Sequence, residues 1–220
     1  MRKTPFINSE YYHIYNRGTE RRDIVLDVYD TNRFLQSMWE FNTTEPIGSI
    51  FENSFRNQSL GNRTPKSPLV EIVCYCVNLN HFHIIIKQIS DNGISEFMKR
   101  LGGGYTNYFN KKYKRSGVLF QGKFKDRHIQ TNEHLLYLSS YVNLNDMVHG
   151  LSRKSKHSLI RNSWADYVGH QTAINFCSKG IVLGQFATKK AYKKYALETL
   201  EYIKEKKLLY KELGLNLFED

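Results

Sequence analysis

Residues 80–87, Asn-His-Phe-His-Ile-Ile-Ile-Lys, constrain the fold more than any other stretch of this chain. The isoleucine run is β-branched and favours a strand. Successive side chains on a strand point to opposite faces, so His81 and His83 share one face while Phe82 enters a core on the other. Two imidazoles side by side at a strand start suit a divalent metal. The alternative is a pair of histidines that merely hydrogen-bond at a strand edge.

The segments before and after it supply partners. Residues 10–17 read as a strand closed by Gly18, and Leu69–Val77 reads as a second strand turned into the histidine strand by Asn78-Leu79-Asn80. Between them, Asp30 or Thr31 can cap a helix reaching Phe41, with Phe34, Leu35, Met38 and Trp39 on one face. Residues 42–68 lose all periodicity and are rich in Asn, Ser, Gly and Pro, as in a long loop insertion. Cys74 and Cys76 share a strand face, and with His81 and His83 they permit a structural zinc reading. Their C-x-C spacing departs from the usual zinc knuckle, and buried small hydrophobes account for them better.

Further along, 91–112 has helical spacing interrupted at Gly102-Gly103-Gly104, where a kink or a thinned helix is expected. Lys99 and Arg100 begin a basic stripe around it. The stretch 117–129 reads as a turn and an edge strand, alternating Phe120, Phe124 and Ile129 with Lys123, Lys125 and Arg127. Apolar groups there can enter a core while cations face phosphates. Thr131 or Asn132 then caps a helix in which Leu135, Leu138 and Val142 follow apolar spacing, and Tyr137, Tyr141 and Asn145 fall on one row. A phenol one turn from an amide oxygen can serve as a nucleophile beside a metal ligand. A basic linker at 152–157, a small docked segment around Trp164 and Tyr167, and a final helix capped by Thr188 complete the chain.

Charge narrows the function. A net charge of +11 and a pI near 9.5 favour a polyanionic partner, most simply nucleic acid. The 15 Tyr and 13 Phe are interleaved with basic residues, as base stacking on a single strand requires. Three cysteines, an odd number, fit a reducing compartment and no disulfide framework. Neither a signal core nor an apolar run of ~18 residues is evident, so a cytoplasmic, nucleoid-associated protein without a membrane partner is expected.

As an ordered set, several motifs resemble the HUH single-strand nucleases, and within them the single-tyrosine transposases of the REP-associated group. They are Tyr12-His13-Ile14-Tyr15-Asn16-Arg17-Gly18, Asn80-His81-Phe82-His83, Tyr105-Thr106-Asn107-Tyr108-Phe109-Asn110, Phe120-Gln121-Gly122-Lys123-Phe124 and Tyr141-Val142-Asn143-Leu144-Asn145. The resemblance implies an α+β fold, an antiparallel sheet of the ferredoxin-like palm type with helices on one face, plus a mainly helical C-terminal extension. It implies a catalytic domain over 1–150, carrying the 42–68 insertion, and an extension over 151–220. It also implies a metal-dependent single-strand DNA endonuclease and strand transferase, cutting next to hairpins through a 5′-phosphotyrosine. His81, His83 and Asn145 would hold Mg²⁺ or Mn²⁺, and Tyr141 would be the nucleophile. Arg17, Arg100, Lys123, Lys125 and Arg127 are the candidate DNA-binding cations. The partner would be single-stranded DNA with a hairpin, met by a monomer or a homodimer. The alternative is a catalytically inactive or domesticated hairpin-binding module. Asp146 follows the helix asparagine where the family often has proline.

Overall fold

The computed structural model describes residues 5–48, 50, 67–150, 157–169 and 176–213. The isoleucine-rich strand lies at the centre of an antiparallel sheet, ordered β4-β1-β3-β2-β5 among the described residues. The strands are β1 (Tyr11–Arg17), β2 (Val70–Val77), β3 (His81–Gln88), β4 (Lys125–Ile129) and β5 (Arg161–Asn162). The β2–β3 turn is tight, the Asn78 backbone N–H donating to the His81 carbonyl at 2.9 Å. β4 pairs only with β1, which makes it the edge strand expected from its Lys and Arg alternation.

Strand parity divides the interior into two cores. On one face Tyr12, Ile14, Phe82, Ile84 and Ile86 pack under α1 (Val28–Glu40) and α2 (Gly93–Lys112). On the other, Cys74, Cys76 and Ile85 pack under α3 (Asn132–Asn143), the single turn α4 (Asn145–Val148), and α5 (Trp164–Val168), α6 (Gly180–Leu183) and α7 (Lys189–Glu212). The α+β class and the antiparallel sheet agree with the sequence reading; the helices, expected on one face, cover both. The cause is β3 itself, which is apolar at both parities, so leaving either face bare would expose isoleucine. Cys74 and Cys76 are fully buried in the second core, and burial raises both thiol pKa values, as for small hydrophobes. Thr188 caps α7 as expected, its side chain accepting from the Ala191 N–H at 3.1 Å. Tyr192, Ala196, Leu200 and Ile203 form the buried stripe of α7. No helix among the described residues is long and apolar enough to cross a membrane.

Two local expectations change. Asp27, not Asp30 or Thr31, caps α1, in a capping box with Asp30. Asp30 is fully buried and accepts from Lys112 Nζ (2.7 Å), Tyr113 Oη (2.7 Å) and Tyr108 Oη (3.0 Å), so a core carboxylate ties the start of α1 to the end of α2. The triple glycine does not interrupt α2, which runs unbroken across it. Gly104 is needed for contact, since a Cβ there would stand 2.4 Å from the buried Phe41 ring, whereas a Cβ on Gly102 or Gly103 would meet nothing. The 42–68 excursion closes at its base: Asn42 accepts from the Val70 N–H (2.9 Å) and donates to the Val70 carbonyl (2.8 Å). Residues 49 and 51–66 of that segment, and 152–156 of the expected linker, lie outside the described residues.

The glycines give a direct test of this packing. Gly103→Ala should raise stability by ~1 kcal/mol through helix propensity. Gly104→Ala should lower it, because displacing a packed ring costs ~1–3 kcal/mol and outweighs that gain. Urea unfolding of the two variants beside the parent checks both signs.

Candidate catalytic and metal site

Since β3 alternates, His81 and His83 face α3, and the cross-strand register brings β1 residues of the same parity beside them. Tyr15 pairs with His83 and Arg17 with His81. His13, on the same face, sets its Nε2 3.0 Å from His83 Nδ1. One of the two rings donates, which commits Nδ1 of His83 and leaves Nε2 as its remaining nitrogen. The His13 and Tyr15 rings stack with His83 at centroid distances of 5.1 and 5.7 Å.

His81 is oriented from three sides. Its Nδ1 lies 2.7 Å from Asn80 Oδ1, an acceptor only, so Nδ1 carries the proton and Nε2 presents a lone pair. That lone pair meets Asn78 Nδ2 at 2.8 Å, and Asn145 Oδ1 stands 3.2 Å from the same Nε2. Asn78 Nδ2 also donates to Asn145 Oδ1 at 2.7 Å. Asn78 and Asn145 are both fully buried, and Asn145 Nδ2 has no hydrogen-bond partner among the described residues. A buried amide with a satisfied oxygen and an orphaned nitrogen marks a site shaped for something besides the protein's own hydrogen bonds.

Tyr141 projects from α3 into this group, its ring meeting His83 edge-on at 5.5 Å and His13 at 6.2 Å. Tyr137, one turn earlier, is half-buried on the α7 side, where burial and then Tyr202 and Tyr195 raise its pKa. The row expected along one continuous helix is broken, because Leu144 leaves helical geometry and Asn145 opens α4. That break turns the Asn145 amide inward toward His81. Buried polar contacts hold α3 in place: Asn143 donates to Tyr192 Oη of α7 (2.9 Å) and accepts from Ser163 Oγ (2.6 Å). The last helix also reaches the site through Lys207, whose Nζ is 3.1 Å from His149 Nδ1. The His149 ring in turn lies 5.5 Å from that of His81.

Among the described residues no three His, Cys, Asp or Glu side chains gather to hold a metal. The donors available here are imidazole and amide atoms. His81 Nε2 and Asn145 Oδ1 nevertheless converge on one point at a spacing close to the ~3 Å between neighbouring ligands of an octahedral divalent ion. The donor set therefore fits such an ion, with His83 beside it.

Of the candidate DNA-binding cations, three share the histidine face. Arg17 is opposite His81, Arg127 is opposite His13, and Lys125 is opposite Tyr15 with its ammonium 5.7 Å above the Tyr15 ring. Lys123 instead lines a cleft of about 950 Å³ on the other face of the sheet, with Gly102, Gly103, Asn107 and Phe120. Arg100, on α2, is engaged by Glu96 (2.8 Å) and by the carbonyls of Thr43 (2.7 Å) and Glu45 (3.2 Å). His13, Asn78, His149 and Lys207 are site residues that sequence reading did not single out. The alternation of His13 and Tyr15 against Tyr12 and Ile14 was the available signal for the first. The others depend on contacts distant in sequence.

The histidines are held neutral. Burial, then the charges of His13, His81 and His149, pushes the His83 pKa well below its usual value, and burial likewise lowers His81. His149 falls to about 3, through burial and then Lys207 and His81. Unfolded histidines titrate near ~6.5, so below that pH the unfolded chain binds more protons than the fold. Stability should hold above pH ~6.5 and fall as the pH drops from there toward the lowered folded values. Melting temperatures measured without metal from pH 7.5 to 5 should decline, and His149→Asn should make the decline shallower.

Comparison with known proteins completes the picture. None of the curated proteins matches this chain. Among solved structures, a REP-associated tyrosine transposase bound to a REP hairpin aligns with a TM-score of 0.45 and 12% identity, over 76% of this chain and 84% of that one. Residues 48–145 match the family described as "Transposase IS200 like", a span that includes His81, His83, Tyr141 and Asn145.

Proposed function

We propose that this protein is a metal-dependent single-strand DNA endonuclease and strand transferase of the transposase type, which cuts beside hairpins of the REP type through a 5′-phosphotyrosine on Tyr141. The catalytic domain spans 1–150 and the C-terminal extension 151–220, whose helices α5, α6 and α7 pack on the second core. The observation that carries the reading is the convergence of His81 Nε2 and Asn145 Oδ1, 3.2 Å apart, on the sheet face where the Tyr141 ring meets His83. The hairpin preference follows from the resemblance of the ordered motifs to the REP-associated group.

His81, His83 and Asn145 would hold the divalent ion, which would supply Lewis-acid polarisation of the scissile phosphodiester. Imidazole nitrogens are unusual for magnesium, so manganese should support activity well. Tyr141 attacks phosphorus: the bond from its phenolic oxygen forms as the bond to the 3′-oxygen breaks. The phenol loses a proton and the leaving oxygen gains one. One phosphodiester replaces another, so a 3′-hydroxyl can reverse the step without an external energy source. His13 holds the His83 ring, and Asn80 the His81 ring, in the tautomers this arrangement needs. Arg17, Lys125 and Arg127 lie on the same face to guide the strand, with Tyr15 available for stacking. Lys123 would meet DNA separately, at the cleft on the opposite face.

Two experiments follow. With a labelled single-stranded hairpin oligonucleotide and Mn²⁺, Tyr141→Phe should lose the covalent adduct while binding the DNA within a few-fold of the parent. Tyr137→Phe should still form the adduct. The reverse pattern on a denaturing gel would make Tyr137 the nucleophile. Affinity should fall steeply with salt, and Arg127→Gln should reduce the log–log salt slope by about 0.7, the loss of one phosphate contact on a single strand. Fluorescence anisotropy across a salt series reads that slope.

A further inference from the structure

Asn78 Nδ2 stands beside both lone-pair atoms of the site, His81 Nε2 and Asn145 Oδ1. Its Nδ2 lies 2.8 Å from His81 Nε2 and 2.7 Å from Asn145 Oδ1, and those two atoms are 3.2 Å apart. All three separations are near the ~3 Å between adjacent ligands of an octahedral divalent ion. Asn78 is fully buried at the turn between β2 and β3, its backbone fixed by the hydrogen bond to His81. Among the described residues its other amide atom, Oδ1, receives only the weak donor Cys76 Sγ at 3.5 Å.

An amide presents a donor or an acceptor from nearly the same shape, according to which way it is turned. In the arrangement described, the Asn78 NH₂ supplies positive hydrogen to two lone pairs that would otherwise face each other unscreened. A cation brought to the same group reverses the demand, because the NH₂ then points positive hydrogen at it. Rotation about the last side-chain bond exchanges the two amide atoms, which places Oδ1 where Nδ2 stands. On the far side the bond given up is the weak thiol contact, and the NH₂ turned there meets the same Cys76 sulfur, a weak acceptor.

We infer that Asn78 is a further ligand of the metal site, switching from donor to oxygen ligand by turning its amide over when the ion binds. The inference rests on the metal-dependent reading above and enlarges its donor set beyond His81, His83 and Asn145. It also supplies a second oxygen to a site otherwise dominated by imidazole, which moves it closer to what magnesium prefers.

The test is Mn²⁺ titration of the purified full chain, free ion being read from its solution electron paramagnetic resonance signal, with no DNA and no turnover. Asn78→Leu, of similar volume and with no donor or acceptor, should weaken Mn²⁺ binding by ~10–100-fold. Asn78→Asp should melt lower than the parent without metal, since it sets a carboxylate against two lone pairs. It should bind Mn²⁺ on the order of tenfold more tightly, through the added ligand charge. A residue that only braces the apo site would show the lower melting temperature without the tighter binding. Should Asn78→Leu bind as well as the parent, or Asn78→Asp no more tightly, Asn78 is not a ligand. His81→Ala separates the two levels: if the parent binds no Mn²⁺, or His81→Ala binds it equally, the metal-site reading falls and this inference with it.

Discussion

Strand β3 is hydrogen-bonded along both edges, by β1 and by β2, and covered by helices on both faces. A one-residue slip in its register would carry His81 and His83 into the core under α1 and α2, and Phe82 toward α3. Phe82, Ile84 and Ile86 oppose that slip collectively, because each is almost fully buried on its own side. Moving any of them would expose large apolar area or force it among imidazoles, a cost of ~1.5–3 kcal/mol per side chain. The parity of the histidines is therefore enforced by apolar neighbours that take no part in the chemistry.

A second layer turns this parity into a defined site. Most of the polar groups near the histidines are buried, and buried polar groups are costly unless paired. The pairing that results is directional: His13 commits one nitrogen of His83, Asn80 commits one nitrogen of His81, and Asn78 gathers His81 with Asn145. Helix α3 is held likewise, by Asn143 bonded to Tyr192 and Ser163 inside the second core. Since Tyr192 belongs to α7, the C-terminal helix bears on where Tyr141 stands. It does so through packing and hydrogen bonds, not through surface charge.

Charge is distributed by a different rule. Arg17, Lys125 and Arg127 belong to strands, so alternation delivers them to the same face as the histidines. Arg100 and Lys112 belong to helices on the opposite face and are engaged by protein acceptors. Lys112 bridges Asp27 and Asp30, and Arg100 closes on Glu96 and on the backbone leaving α1. The fold thus sends strand cations to the histidine face and uses Arg100 and Lys112 of α2 as clamps between elements.

β5 was not expected; strands β1 to β4, the face shared by His81 and His83, the opposite placement of Phe82, the edge position of β4 and the helix caps at Thr188 and at Thr131 (or its neighbour Asn132) were legible from the chain alone. Each rests on local alternation or on a side chain bonding its own backbone three residues on, and such effects span only a few residues. The cap of α1 was misplaced because Asp27 and Asp30 offer the same chemistry, and only the buried contacts of Asp30 with Lys112, Tyr108 and Tyr113 decide between them. The triple glycine was read as a kink or a thinned helix because helix propensity is intrinsic, while the Phe41 ring that demands Gly104 lies 63 residues earlier in the chain and enters no such scale. The covering of both sheet faces, the turn of Asn145 out of the α3 row, and the approach of His13, Asn78, His149 and Lys207 to the histidines were decided by tertiary structure. They depend on long-range packing and on where buried amides find partners. Local sequence spacing carries no information about a neighbour that only folding brings within 3 Å.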